Sequence, residues 1–266
     1  MKTYLWFSDA HDCPHHDKTR FEYLGRLIVD RRPDVIVQGG DFASMESLSH
    51  WDQNKRLLIE GRRVRGDLES AAAAWGEVTK EIVSLQYQQR RNKAKLYRPG
   101  LIWFEGNHED WLKQWMERNP EMEGMINLQE SLRLDDWAEF DFIDYVPWKD
   151  VRVYDGILFC HAPIGRTGPI YSKYISSRSL TDVSNLPIIF GHTHRRQEDS
   201  IARFDSEGKI KVIRAVNAGC FFDVWPHYAE GNTNDYAQMV LLIHVYAEGQ
   251  FDIEEISLER MKRIYG

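Results

Sequence analysis

Five short apolar runs in this 266-residue chain each end on residues that can bind a metal. Thr3 to Phe7 leads into Ser8-Asp9-Ala10-His11, and Asp34 to Val37 into Gln38-Gly39-Gly40-Asp41. Leu101 to Phe104 leads into Glu105-Gly106-Asn107-His108-Glu109. Two later runs end in Cys160-His161 and in Gly191-His192-Thr193-His194. Together Asp9, His11, Asp41, Asn107, His161, His192 and His194 offer oxygen and imidazole nitrogen donors without thiolate. Such a set suits Mn²⁺, Fe or Zn²⁺. The i, i+2 spacing of Asp9/His11 and of His192/His194 puts both members on one side of an extended segment. Glycines ahead of Asp41, Asn107 and His192 let the backbone turn tightly beside an ion.

The elements that must carry these residues read as alternating strands and helices. A helical period runs through Phe21, Leu24, Leu27 and Ile28 and stops at Arg32-Pro33, so the first two strands form a β-α-β unit. Residues 45–98 read as mainly helical, helped by Ala71 to Ala74 and Trp75, and Pro99-Gly100 closes them. A helix is expected over 109–118, then an acidic, irregular or helical stretch to about residue 140. Beyond it the period shortens to strands at Phe142–Val146, Val151–Tyr154, Ile157–Cys160, Ile188–Phe190, Lys211–Val216, Met239–Val245 and Phe251–Ile256, with one helical patch near 170–180. This is one α/β domain over residues 1–266, with a mainly helical insertion at about 51–98. In open α/β sheets ligands sit at the carboxyl ends of strands, so the five ends are expected to converge.

Composition narrows the classes. With 42% hydrophobic and 12% aromatic residues, the chain is neither disordered nor collagen-like. Three widely separated cysteines with no CxxC pair exclude a zinc ribbon and a redox dithiol, and imply reduced thiols in the cytoplasm. No secretion signal and no membrane-length apolar run are seen. The formal net charge of −7 disfavours a protein that coats nucleic acid by attraction alone. The charge is uneven, however. Residues 55–98 hold about 11 basic and 5 acidic side chains, roughly +6, and residues 99–150 about 4 and 13, roughly −9.

The ordered series SDAH, GGD, GNHE, a lone histidine and GHTH resembles the calcineurin-like metallophosphoesterase superfamily over residues 9–194. That resemblance implies a four-layer αββα sandwich of two mixed β-sheets flanked by helices. It implies two divalent ions, with Mn²⁺ as first choice: Asp9, His11 and His194 on one, Asn107, His161 and His192 on the other, and Asp41 bridging both. His108 is implied to lie beside the substrate phosphate as proton donor or transition-state stabiliser. The implied reaction is hydrolysis of a P–O bond by direct attack of metal-bound hydroxide, without a covalent intermediate. A phosphodiesterase acting on a nucleotide or nucleic-acid-like substrate is favoured. A protein or nucleotide phosphatase, an SbcD-like DNA nuclease and a non-catalytic scaffold stay open.

The sequence departs from the pattern at Ser44, where many relatives carry an Asp that orients the catalytic histidine. Glu109 and Asp110 are the candidate substitutes. Around the core set, Arg166, Thr167 and Tyr171 follow His161 in a Gly-rich loop, and Arg195 and Arg196 could favour an anion. His50 and His227 are candidate cleft residues; His15 and His16 read as loop residues and His244 as structural. Arg62, Arg63, Arg65, Arg90, Arg91, Lys93 and Lys95 could track a nucleic-acid backbone. The same insertion could instead be a solvated face, a hairpin over the cleft, or a surface that pairs two copies of the chain.

Overall fold

Alternation along β1 (Lys2–Phe7) divides the core in two. Tyr4 and Trp6 point to one face and Leu5 and Phe7 to the other, and all four are fully buried. The same alternation in β2 (Val35–Gln38) and β3 (Gly100–Phe104) gives central strands buried on both faces, as expected where parallel strands are covered on two sides. The computed structural model describes residues 1–50, 52, 54–134, 138–165, 168–169, 184–204, 207–223 and 235–266.

The remaining strands are β4 (Ile143–Val146), β5 (Arg152–Tyr154), β6 (Ile157–Cys160), β7 (Ile164–Gly165), β8 (Gly168–Pro169), β9 (Ile188–Phe190), β10 (Arg196–Phe204), β11 (Ile210–Ala218), β12 (Met239–Ala247) and β13 (Gln250–Ser257). They form a six-stranded sheet ordered β13-β12-β1-β2-β3-β4 and a five-stranded sheet ordered β10-β11-β9-β6-β5. Both sheets are mixed. β1, β2, β3 and β4 are parallel while β12 and β13 join antiparallel. In the second sheet β11, β9 and β6 are parallel, with antiparallel β10 and β5 at the edges. Tyr4, Trp6, Val37, Ile102 and Phe104 of the first sheet meet Phe159, Ile189 and Val216 of the second in one apolar cluster, so the sheets stack face to face.

Leu5, Phe7, Ile36, Leu101 and Trp103 belong to a second cluster, on the helix side of the first sheet. It is covered by α1 (Thr19–Arg31), α3 (Val64–Arg91) and α6 (Leu258–Tyr265), with α4 (Asn107–Arg118) and α5 (Leu128–Ser131) beside them; a single turn, α2 (Arg56–Ile59), precedes α3. Helix α3 buries Leu68, Ala71, Trp75, Val78 and Ile82, spaced alternately by three and four residues, which is the stripe of a core-facing helix. It packs along α1 and is the crossover between β2 and β3. Its apolar face is therefore used within the chain.

The basic residues of this segment do not form one patch. Arg62 pairs with Glu46 at 3.0 Å and Asp52 at 3.4 Å, and Arg65 with Glu69 at 2.7 Å. Arg90 and Arg91 stand at the other end of α3, about 37 Å away at the α-helical rise. Among the described residues no helix covers the outer face of the five-stranded sheet, and the helical patch expected near 170–180 lies outside them. No described helix is long and apolar enough to cross a membrane.

Candidate metal centre

All seven expected ligands lie at the carboxyl ends of strands, and six of them meet in two side-chain clusters. Asp9 and His11 follow β1, Asp41 follows β2 and Asn107 follows β3, all in the six-stranded sheet. His161 follows β6, and His192 and His194 follow β9, in the five-stranded sheet. The loops after β1 and β2 run side by side: the Asp9 N–H donates to Gly40 O at 2.9 Å, the His11 N–H to Asp41 O at 3.0 Å and the Asp12 N–H to Phe42 O at 2.7 Å.

The backbone at these positions is strained. Asp9 (φ 53°), His11 (44°), Asp41 (50°), His192 (71°) and His194 (62°) all sit in the left-handed region without being glycine. Each such residue costs on the order of 1–3 kcal/mol, and they persist only where surrounding structure over-determines them. Here the interloop hydrogen bonds do so, as does the Asp9 carboxylate, which accepts the His192 N–H at 3.1 Å.

The side chains form two joined clusters. In the first, His11 Nε2 and His194 Nε2 lie 3.0 Å apart, with Asp9 Oδ1 3.4 Å from His194 Nε2. In the second, Asp41, His161 and His192 place ligand atoms within 4.8 Å of one another. Asp41 joins them: its Oδ2 lies 3.3 Å from His161 Nε2 and 3.9 Å from His11 Nε2. His161 Nε2 is misaligned for a hydrogen bond to Asp41, and Asn107 Oδ1 is buried without a hydrogen-bond partner. Buried polar atoms are rarely left so unless another ligand takes them. The donor set and these two atoms fit a pair of divalent ions.

Electrostatics agree with that chemistry. Burial alone would raise the pKa values of Asp9 and Asp41, but His194 and His161 hold Asp9 below the ordinary range, and His161 and His108 hold Asp41 well below it. Burial, with the charge of nearby histidines, pushes His11 well down and His192 down to about 4, leaving neutral imidazoles. Burial also disfavours the charged form of His161, yet Asp41 outweighs it and lifts His161 to about 9. Its Nδ1 lies 2.8 Å from Gly39 O, so Nδ1 carries the proton that is donated and Nε2 faces Asp41. A metal that binds Nε2 must displace a proton near neutral pH. Uptake of Mn²⁺ at about pH 7.5 is therefore expected to release about one proton, and to tighten as pH rises towards 9. Calorimetry in two buffers of different ionisation heat measures this; no release would remove His161 from the ligand set.

The supporting shell answers two expectations from the sequence. The glycines ahead of the ligands are required because a Cβ would stand 2.3 Å from His161 Nδ1 at Gly40, 2.0 Å from Asp41 Oδ1 at Gly106 and 2.4 Å from Asp9 Oδ2 at Gly191; Gly40 also has φ +97°. The expected substitutes for the missing Asp at position 44 do not serve His108. Glu109 turns inward: its Oε2 accepts the N–H groups of Gly106 at 2.7 Å and Asp41 at 3.0 Å, and its Oε1 accepts that of Ala43 at 2.8 Å. Burial and the Asp41 charge push Glu109 up to about 8. Asp110 accepts from Gln114. His108 Nδ1 instead lies 2.7 Å from the backbone O of Ser44.

Beneath the Asp9–His11 loop lies a buried charge network. Arg20 is 1% exposed and donates to Ala10 O at 3.1 Å, Asp17 O at 2.9 Å and Asp223 Oδ1 at 2.9 Å. Asp12, fully buried, takes Lys18 Nζ at 2.6 Å and Ser70 Oγ at 2.7 Å. Removing one partner of such a pair leaves an uncompensated buried charge. Arg20→Leu is expected to lower unfolding stability by about 3–5 kcal/mol. Denaturant melts test this, and a loss under about 1 kcal/mol would contradict the role given to Arg20.

Aromatic rings surround the clusters, and no motif in the sequence marks them. Trp148 lies 5.4 Å from the His161 ring and 6.3 Å from His192. It is held in a turn where Asp150 N–H meets Pro147 O at 3.0 Å and Lys149 takes φ 74°, and its own N–H donates to Glu105 Oε2 at 3.0 Å. Phe222 and Tyr236 lie 5.2 and 4.9 Å from His194. Only the position of Trp148, two residues past β4 at the edge of the six-stranded sheet, points to it in the sequence.

Among the other candidates, Arg195 lies 3.4 Å from Asp235, and Arg196 pairs with Glu198 at 2.8 Å and Glu255 at 2.6 Å. His244 Nδ1 lies 3.4 Å from Thr3 Oγ1 between paired strands, a structural place. His50 meets the edge of Trp111 at 5.6 Å. His15 and His16 are in the loop before α1, outside both clusters. Cys13, Cys160 and Cys220 are free and buried, and burial pushes their thiols up. Arg166, Thr167, Tyr171 and His227 lie outside the described residues. Compared with known proteins, the chain matches no family model and no curated sequence.

Proposed function

We propose that this chain is a phosphodiesterase dependent on two divalent ions, built on the calcineurin-like metallophosphoesterase fold. The observation that carries the reading is the shared carboxylate. Asp41 stands between the Asp9, His11 and His194 cluster and the His161 and His192 cluster, and Asn107, next to His108 whose N–H meets Asp41, has its Oδ1 buried without a hydrogen-bond partner. The first ion would be held by Asp9, His11 and His194, the second by Asn107, His161 and His192, and both by Asp41. Two bound ions, Mn²⁺ first and Fe or Zn²⁺ otherwise, supply Lewis-acid polarisation and neutralise phosphate charge.

The chain's own groups account for the rest. His161 and Asp9 are fixed by backbone partners, so the donors are preorganised. The interlocked loops after β1 and β2 hold Asp9, His11 and Asp41 to one geometry. His108 stands beside the shared carboxylate with one ring nitrogen committed to Ser44 and the other available to a departing oxygen. Hydrolysis of an alkyl phosphate ester expels an alkoxide, which gains from the proton that His108 would deliver. Trp148 on one flank and Tyr236 on the other offer faces on which a nucleobase can stack, which favours a nucleotide or nucleic-acid-like substrate. Three buried free thiols suit the reducing cytoplasm.

The test compares bis-p-nitrophenyl phosphate with p-nitrophenyl phosphate on the Mn²⁺-loaded protein. The diester is expected to win by at least about tenfold in kcat/KM. The reverse order makes the protein a phosphatase. Turnover of neither, with both ions bound, makes it a scaffold, and degradation of DNA places it with the nucleases.

A further inference from the structure

His108 occupies the second position of α4, and Trp111 follows three residues later on the same helical face. Their ring centroids lie 4.0 Å apart with planes inclined by 30°, a near-parallel stack. Trp111 is 8% exposed, so its indole is anchored in the core. The edge of His11 approaches His108 from another side, at 4.5 Å and 72°. Ser44 O, which can only accept, lies 2.7 Å from Nδ1, so Nδ1 bears a hydrogen. That commits Nε2 to proton transfer. Three contacts thus define the ring: the Trp111 face, the His11 ring and the Ser44 carbonyl.

We infer that the Ser44 carbonyl and the Trp111 ring together fix the tautomer and aim of His108, making Trp111 a positioning residue for the proton donor of the reaction. The inference rests on the phosphodiesterase reading. The carbonyl selects the nitrogen that carries the proton, and the indole sets the plane in which it is delivered. A π face also tolerates the positive charge that the donor carries. In the step itself, the oxygen of water bonds to phosphorus while the bond from phosphorus to the alcohol oxygen breaks. The doubly protonated His108 ring passes its Nε2 proton to the departing oxygen, which leaves the Nδ1–H tautomer, and Nε2 regains a proton from the water that attacked. A leaving group that is stable as an anion needs no such delivery.

The experiment therefore compares two leaving groups in Trp111→Leu and Trp111→Phe. With a dinucleotide, whose alkoxide must be protonated, kcat of Trp111→Leu is expected to fall about 30–100-fold with KM changed by less than about twofold. With bis-p-nitrophenyl phosphate, whose phenolate departs unaided, kcat should change by less than about threefold. Trp111→Phe keeps an aromatic face and should recover at least a third, roughly, of the dinucleotide rate. Bound Mn²⁺ should equal that of the unmodified protein. Equal losses on both substrates, or loss of Mn²⁺, would overturn the inference in favour of a merely structural tryptophan.

A readout independent of turnover is the ¹⁵N spectrum of His108 in the metal-free chain. In its neutral form the ring should show the Nδ1–H tautomer alone, and a mixture in Trp111→Leu. A tautomer unaltered by the leucine overturns the positioning role. If the unmodified protein hydrolyses neither diester, the phosphodiesterase reading fails while the spectrum still decides what Trp111 does to His108.

Discussion

Asp41→Asn is expected to strip both ions together and to lower diester turnover by at least about 10³-fold. The Asp41 carboxylate has three tasks at once. Oδ2 faces His161 at 3.3 Å and His11 at 3.9 Å, one from each cluster. Oδ1 accepts the His108 N–H at 2.9 Å and so holds the start of α4. Its negative charge also offsets the burial of His161. Asparagine keeps the volume and one oxygen, so the fold should survive while the charge that both ions share is lost. Elemental analysis of the purified variant, with circular dichroism to check folding, reads the outcome. A protein that lost one ion and kept the other would show that Asp41 belongs to a single site.

His108→Ala separates in the opposite sense, keeping its ions while losing catalysis. Turnover of an alkyl diester should fall about 10²–10⁴-fold, the usual worth of a positioned general acid. The ions should stay because Asp41 holds His108 through its backbone N–H, which alanine retains. Hydrolysis of bis-p-nitrophenyl phosphate should fall far less. His108 also lies within a possible donor set with His11 and Asp41. Loss of metal in the alanine variant would therefore identify it as a ligand, and equal turnover on both diesters would remove it from the chemistry.

The strand ends were legible because each parallel strand is a continuous apolar run stopped by a glycine or a polar residue. That is why the series Asp9, Asp41, Asn107, His161, His192 and His194 can be read from the sequence. Strand β10 was missed for the opposite reason. Its residues, RQEDSIARF, form an edge strand with no fully buried position, so no apolar period marks it. Helix α6 was missed because eight residues rich in charge bury only Leu258 and Met261. Helix α4 begins at Asn107 rather than at 109, since Glu109 closes back on the Gly106 N–H. That shift of register is what sets His108 and Trp111 three residues apart on one face.

Segment 51–98 reads as a mainly helical insertion because it is long and basic, and the three-and-four spacing from Leu68 to Ile82 packs its helix into the core. The partner of His108 was beyond any reading of side chains. A backbone carbonyl leaves no trace in residue identity, and Ser44 looked like a gap in a motif.

Every proposed ion would draw its ligands from both sheets: Asp9 and His11 with His194, and Asp41 and Asn107 with His161 and His192. The centre is thus also a rivet through the sandwich, and occupancy becomes a property of its tertiary stability. By mass action, free metal at a hundred times its dissociation constant adds about 2.7 kcal/mol per site to the native state. That is comparable with the strain of one or two of the left-handed residues it sits on. Chelation would then do more than silence a reaction. It would loosen the seam between the two sheets at the end where the two clusters meet.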